Sequence, residues 1–157
     1  MPPAADSNVR EVADFLVRFC DEHGDVITNL RLQKYLYYAQ GWFLAFYDRP
    51  LFDEDLQAWV YGPVHPETYR RFKHHSFQPV TGDDVGSSEL PDIVQDHLVE
   101  VHSAYGKFSA WDLERMTHAE DPWREARGDL PEDEPSTAVI SQESMRRYFR
   151  GRLETQQ

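Results

Sequence analysis

The segment Thr28–Tyr47, TNLRLQKYLYYAQGWFLAFY, is apolar nearly all the way round a helical wheel. Thr28 is suited to accept from the first free N–H groups of a helix. Ile27 before it and Leu32 inside it have the spacing of a hydrophobic staple. Gln33, Lys34, Gln40 and Gly41 are its main polar positions, and they recur at helical spacing as a narrow wet stripe. A helix this apolar belongs in the middle of a domain, with other elements around it. At about 1.5 Å per residue it is about 30 Å long, the width of a small domain.

Outward from this helix the chain reads as further helices. Asn8 and Glu11 make a capping-box-like start, and Val9, Val12, Ala13, Leu16, Phe19 and Cys20 follow one helical face until Gly24. Residues 1–7 read as a loose leader. After the central segment, Asp48-Arg49-Pro50 ends the helix. Leu56 to Tyr61, LQAWVY, alternates and reads as a short strand, with Phe77 to Thr81 as a candidate partner and Gly62-Pro63 as the closing turn. His65-Pro66 opens another helix. Helices follow from about Pro91 to Gly106, from Ser109 with Asp112, from Asp121-Pro122 to Gly128, and from Ser141. Asp129 to Pro135 is an acidic, proline-broken loop. The expected fold is mainly α: a single compact domain spanning residues 1–157, six to seven helices around the central one, with a short strand or two-stranded ribbon.

The chain has 157 residues, a length that suits one domain, and a formal net charge of −12. The first 80 residues carry −3 and the remainder −9. Such a field repels nucleic acid, whose binding rests on clustered Lys and Arg, and draws basic partners inward. One cysteine, Cys20, excludes an internal disulfide and a Cys-rich zinc site. No apolar run reaches about 18 residues and nothing resembles a signal peptide, so a cytoplasmic protein without membrane contact is expected.

Seven histidines raise the question of a metal or an active site. His74 and His75 are adjacent and are expected on different sides of a helix. His97 and His102 are five apart, which misses the i, i+4 spacing of helical zinc ligands. His118 lies at a helix end, where an imidazole interacts well with the dipole. No GxSxG, P-loop or dinucleotide fingerprint is present. Neither metal nor cofactor is expected, and no enzyme. The aromatic residues, 13% of the chain, are core by default. Trp59 and Tyr61 stand out because they alternate with the apolar face of the strand and run into the GPV turn. Exposed aromatics beside a rigid turn are typical interface anchors. The competing reading packs them on the helix that starts at Pro66.

LQKYLYYAQGWFLAFYDRPLFDEDLQAWVYGPVHPETYRRF, from Leu32 to Phe72, resembles the core motif of the Panacea antitoxin domain, a phage-associated family that includes the SocA-type antitoxins. WDLERMTHAEDPW (Trp111 to Trp123) and ISQESMRRYF (Ile140 to Phe149) are similar to its second half. The resemblance spans roughly Val9 to Phe149, and LQKYLYYAQGW, AWVYGPV and THAEDPW are its most specific pieces. It implies an antitoxin of a bacterial or prophage toxin–antitoxin pair that holds a cognate protein toxin by direct contact. For SocA-type members it further implies delivery of the toxin to the ClpXP protease. The expected contacts are Trp59, Tyr61, His65, Arg70 and Trp111, with Gly62 and Pro63 setting the shape of the turn. Two alternatives stay open: a hydrolase-type enzyme that erases a toxin's product, and a phage-encoded inhibitor of a host protein.

Overall fold

The computed structural model describes residues 5–155. Among these, there are seven α-helices and a small three-stranded antiparallel sheet, so the molecule is mainly α. Helix α1 spans Val9–Glu22, and its cap Asn8 accepts from the Glu11 N–H. Helix α2, Asn29–Tyr47, is the central segment; Thr28 caps it by accepting from the Arg31 N–H. It ends at Asp48, held at φ 58°, two residues before the proline. Helices α3 (Pro66–Phe72), α4 (Asp92–Tyr105), α5 (Ala110–His118), α6 (Asp121–Arg127) and α7 (Gln142–Thr155) complete the set. Ser109 and Asp112 form a full capping box at α5. All of these helices except α6 make close contact with α2, most extensively α7.

The polar stripe of α2 is not wet. Gln33, Lys34, Gln40 and Gly41 are all buried, because distant backbone covers them. The Gln40 amide donates to Phe52 O (2.7 Å) and accepts from the Leu51 N–H (2.8 Å). Gln33 donates to Asn29 Oδ1 and accepts from the His65 N–H, both at 2.9 Å. Each glutamine thus places both ends of its amide and pins the chain that follows the helix. Gly41 is where α7 comes closest: a Cβ there would lie 2.1 Å from Phe149 Cε2. The exposed positions of α2 are instead Phe46 and Tyr47 in its last turn.

Strand β1 is Leu56–Trp59, paired with β2 (Gly62–Val64) and with β3 (Val139–Ile140) in the order β2-β1-β3. Two details of the sequence reading change here. The turn is Val60-Tyr61, since Trp59 pairs with Gly62, and Gly62-Pro63 belongs to the returning strand. Gly62 takes φ 101°, which a side chain tolerates poorly. The partner is this return strand plus β3, and Phe77 to Thr81 lies elsewhere, with Val80 forming an isolated bridge to Ile27. The leader expected to be loose is tied down from Asp6, which pairs with Arg49 at 2.7 Å, while the Ser7 N–H donates to Leu51 O. Residues 1–4 lie outside the described residues. The buried apolar side chains form one continuous cluster around α2.

Candidate partner-binding face

The β1–β2 hairpin is nailed down from behind. Trp123 Nε1–H donates to Trp59 O and His118 Nε2 contacts Val60 O, each at 2.8 Å. Donation from Nε2–H is the arrangement a carbonyl partner requires. The His118 ring stacks on Trp123 with centroids 4.1 Å apart, so the imidazole at the end of α5 links helix to hairpin. The Arg127 guanidinium, buried and stacked on Trp123, donates to Ala58 O on β1 (3.0 Å). Its other nitrogen reaches Pro131 O (2.7 Å) and Glu134 O, which folds the acidic loop against the sheet. Hydrogen bonds from a charged donor to carbonyls are among the stronger ones in a protein.

The three carbonyls held from behind, those of Ala58, Trp59 and Val60, leave the hairpin tip facing outward. Val60 lines a depression of about 500 Å³ together with Trp111, Arg115 and His118 of α5, Arg124 of α6, and Asp133 of the acidic loop. Trp111 is 64% exposed and carries the Arg115 guanidinium 5.8 Å from its ring. Tyr61, next to Val60 at the tip, is 48% exposed.

The residues singled out from sequence therefore separate. Val60 and Trp111 line one depression, and Tyr61 follows Val60 at the exposed hairpin tip without lining it. Trp59 is half-buried, with its ring against Tyr69 of α3 (5.2 Å, edge-on) and its Nε1–H on Gln57 Oε1. It is the packing that the competing reading expected. Arg70 is exposed on α3. His65 is buried and caps α3: its Nδ1 accepts from the Thr68 N–H (3.2 Å) and meets the Thr68 hydroxyl at 2.7 Å. Burial holds its imidazole below the ordinary histidine pKa.

Two buried ionisable groups differ from the sequence reading, which passed over Glu120 and gave Lys34 to a wet stripe. Glu120, at the start of α6, accepts from the Tyr37 and Tyr38 hydroxyls, one on each carboxylate oxygen at 3.0 Å. Burial raises its pKa from 4.5 to about 7, against the opposing pull of the two phenols. A pair of adjacent tyrosines on a buried helix, needing an acceptor, was the available signal. Lys34 is fully buried beneath the hairpin: a Cβ on Gly62 would lie 2.9 Å from its Cε. Its Nζ makes no hydrogen bond, and burial lowers its pKa from 10.5 to about 8. A second depression, about 820 Å³, opens between α2, α4 and α7, bordered by Phe46, Tyr47, His97 and Tyr105, with Glu120 on its wall.

No helix among the described residues is long and apolar enough to cross a membrane. A family model described as antitoxin SocA-like, Panacea domain, matches residues 32–124. This span runs from α2 through the hairpin to α6, and so includes both tyrosines, their carboxylate and the braced turn. Antitoxin SocA of Caulobacter vibrioides (strain NA1000 / CB15N) is 30% identical over 139 residues, which cover 78% of this chain and 74% of that protein. No solved structure matches the chain.

Proposed function

The chain belongs to the Panacea-domain family of SocA-like antitoxins, and from that membership we propose that it neutralises a cognate protein toxin by direct contact, as a non-enzymatic binding protein of the cytoplasm. The observation that carries the location of the contact is the braced hairpin tip beside the exposed Trp111. Aromatic anchors on a rigid support lose little conformational freedom on binding, which is how a few residues come to dominate an interface. Tyr61, Trp111 and Arg70 make the contacts, Trp59 borders them, and Gly62, Pro63 and His65 hold the shape beneath. The net charge of −12 speeds encounter with a basic toxin and disfavours nucleic acid as a direct ligand.

Co-expression tests the reading. The product of the neighbouring gene should arrest growth alone and lose that effect when this protein is made in equal or greater amount. Arrest that persists at excess antitoxin rejects the pairing. Neutralisation that is complete at trace, substoichiometric levels rejects occlusion, and if it also persists without ClpX it rejects the binding mechanism in favour of an enzyme. Delivery to the ClpXP protease is the finer form of the proposal, supported by the likeness to SocA. It predicts that the toxin's lifetime shortens when this protein is present and recovers on removal of ClpX; equal lifetimes leave occlusion alone.

A further inference from the structure

His74 and His75 do not diverge as adjacent helical residues would. The chain leaves α3 through a 3-10 turn, Lys73–His75, and this turn sets the two rings 4.3 Å apart. Nine residues after His75, a second 3-10 turn, Gly82–Asp84, brings the Asp84 carboxylate to the same place. One donor atom from each of the three side chains lies within 4.8 Å of the others.

The contact between His75 and Asp84 has an informative geometry. His75 Nε2 stands 3.2 Å from Asp84 Oδ1. Yet Nε2 is shielded from solvent and forms no hydrogen bond, so the imidazole axis points past the oxygen. Two donors at this distance without a hydrogen bond between them fit two ligands of one shared ion. In a tetrahedral zinc site with bonds of about 2.0–2.1 Å, neighbouring donors are about 3.3 Å apart. Asp84 is also pre-set. Its Oδ2 accepts from the Thr81 N–H (2.8 Å) and hydroxyl (3.2 Å), which leaves Oδ1 for another partner. The turn that bears it is anchored to α1, where Asp21 accepts from the Gly82 N–H and Arg18 donates to Val85 O.

We propose that His74, His75 and Asp84 form a binding site for a divalent transition metal of the zinc class, with one coordination position open to water. Two imidazoles and one carboxylate are a donor set that such ions favour over magnesium or calcium. The ion joins the two ends of the segment 76–83 and fixes a loop whose Phe77 is 82% exposed. Ser76, at φ 55°, turns the chain at the start of that loop. The site is independent of the antitoxin reading, because its test involves no toxin.

The test uses the full chain after dialysis against a chelator, titrated with Zn(II) by calorimetry and with Co(II) by visible absorption. One ion per chain is expected, with the Co(II) spectrum of a four-coordinate site and a thermal midpoint that rises with free metal. His75→Gln and Asp84→Asn should each weaken binding by about tenfold or more, and Thr81→Val should weaken it through the Asp84 carboxylate. His23→Gln, an exposed histidine elsewhere, should leave it unchanged. Circular dichroism of the metal-free variants establishes that each folds. Absence of one-to-one binding, or equal affinity in wild type, His75→Gln and Asp84→Asn, overturns the proposal.

Discussion

The α-carbon of Gly41 sits against the ring of Phe149 so closely that a Cβ would stand 2.1 Å from one ring carbon and 2.3 Å from the next. In an exposed helix, Gly→Ala gains about 1 kcal/mol. Here the new methyl must displace Phe149, a buried ring at the most extensive helix–helix contact in the fold. Overpacking of this kind costs about 1–3 kcal/mol. Gly41→Ala should therefore lower the urea midpoint, although it raises intrinsic helix propensity. A raised midpoint would place α7 farther from α2 than described.

Glu120 makes stability depend on pH in a direction opposite to that of a salt-bridged acid. Its folded pKa of about 7 exceeds the ordinary 4.5. Between these values the folded form holds the proton that the unfolded form releases, so stability falls as pH rises through this window and levels off above it. The drop is about 3 kcal/mol. Glu120→Gln should flatten this segment of the curve, as measured by urea melts from pH 4.5 to 8.

Lys34 acts in a higher window. Its folded pKa of about 8 lies below 10.5, so the unfolded chain binds more protons between the two and stability rises with pH across that range. At pH 7 the fold carries a buried ammonium without a hydrogen-bond partner. Lys34→Met should stabilise the protein at pH 7 by about 1–3 kcal/mol and abolish the rise above pH 8. Denaturant melts at pH 7 and pH 9.5 measure both effects.

Tyr35 and Tyr61 divide fold from recognition. Tyr35 is buried, and its hydroxyl meets His102 Nδ1 at 2.9 Å while His102 Nε2 lies 2.6 Å from Asp25 Oδ2. Tyr35→Ala leaves a cavity and should cost about 3–5 kcal/mol. Tyr61→Ala removes a half-exposed ring and should change stability by about 0.5 kcal/mol or less. Equal losses of thermal midpoint would contradict the division.

What the sequence made legible was local. The caps Asn8, Thr28 and Ser109, the stops at Gly24, Gly106 and Gly128, and the prolines at 66 and 122 all act within one turn, and the helices start and stop where these residues put them. The face of α2 assigned to water was hidden by long-range contacts. Gln33 and Gln40 are polar, but their partners are backbone groups at His65, Leu51 and Phe52, and nothing in a helical pattern announces them. Strand β3 has two residues, too few for any alternation to register. Of the two aromatics that stood out beside the turn, Tyr61 is exposed and Trp59 packs on Tyr69, while Trp111, named only among the expected contacts, is also exposed. His65 was misplaced among them because a cap and a contact look alike in one dimension. Glu120 and Arg127 became visible only when the chain brought Tyr37, Tyr38 and the acidic loop to them.

The most direct test of the binding face is the dissociation constant of the toxin complex for wild type, for Tyr61→Ala/Trp111→Ala, and for Phe46→Ala/Tyr47→Ala in the other depression, each with its thermal midpoint. Loss of two anchors of about 2 kcal/mol each should weaken the complex by roughly three orders of magnitude at an unchanged midpoint. The Phe46/Tyr47 variant should bind like wild type. Full affinity in the Tyr61/Trp111 variant, or its loss in the Phe46/Tyr47 variant alone, would contradict the account and move the interface to the groove beside α4.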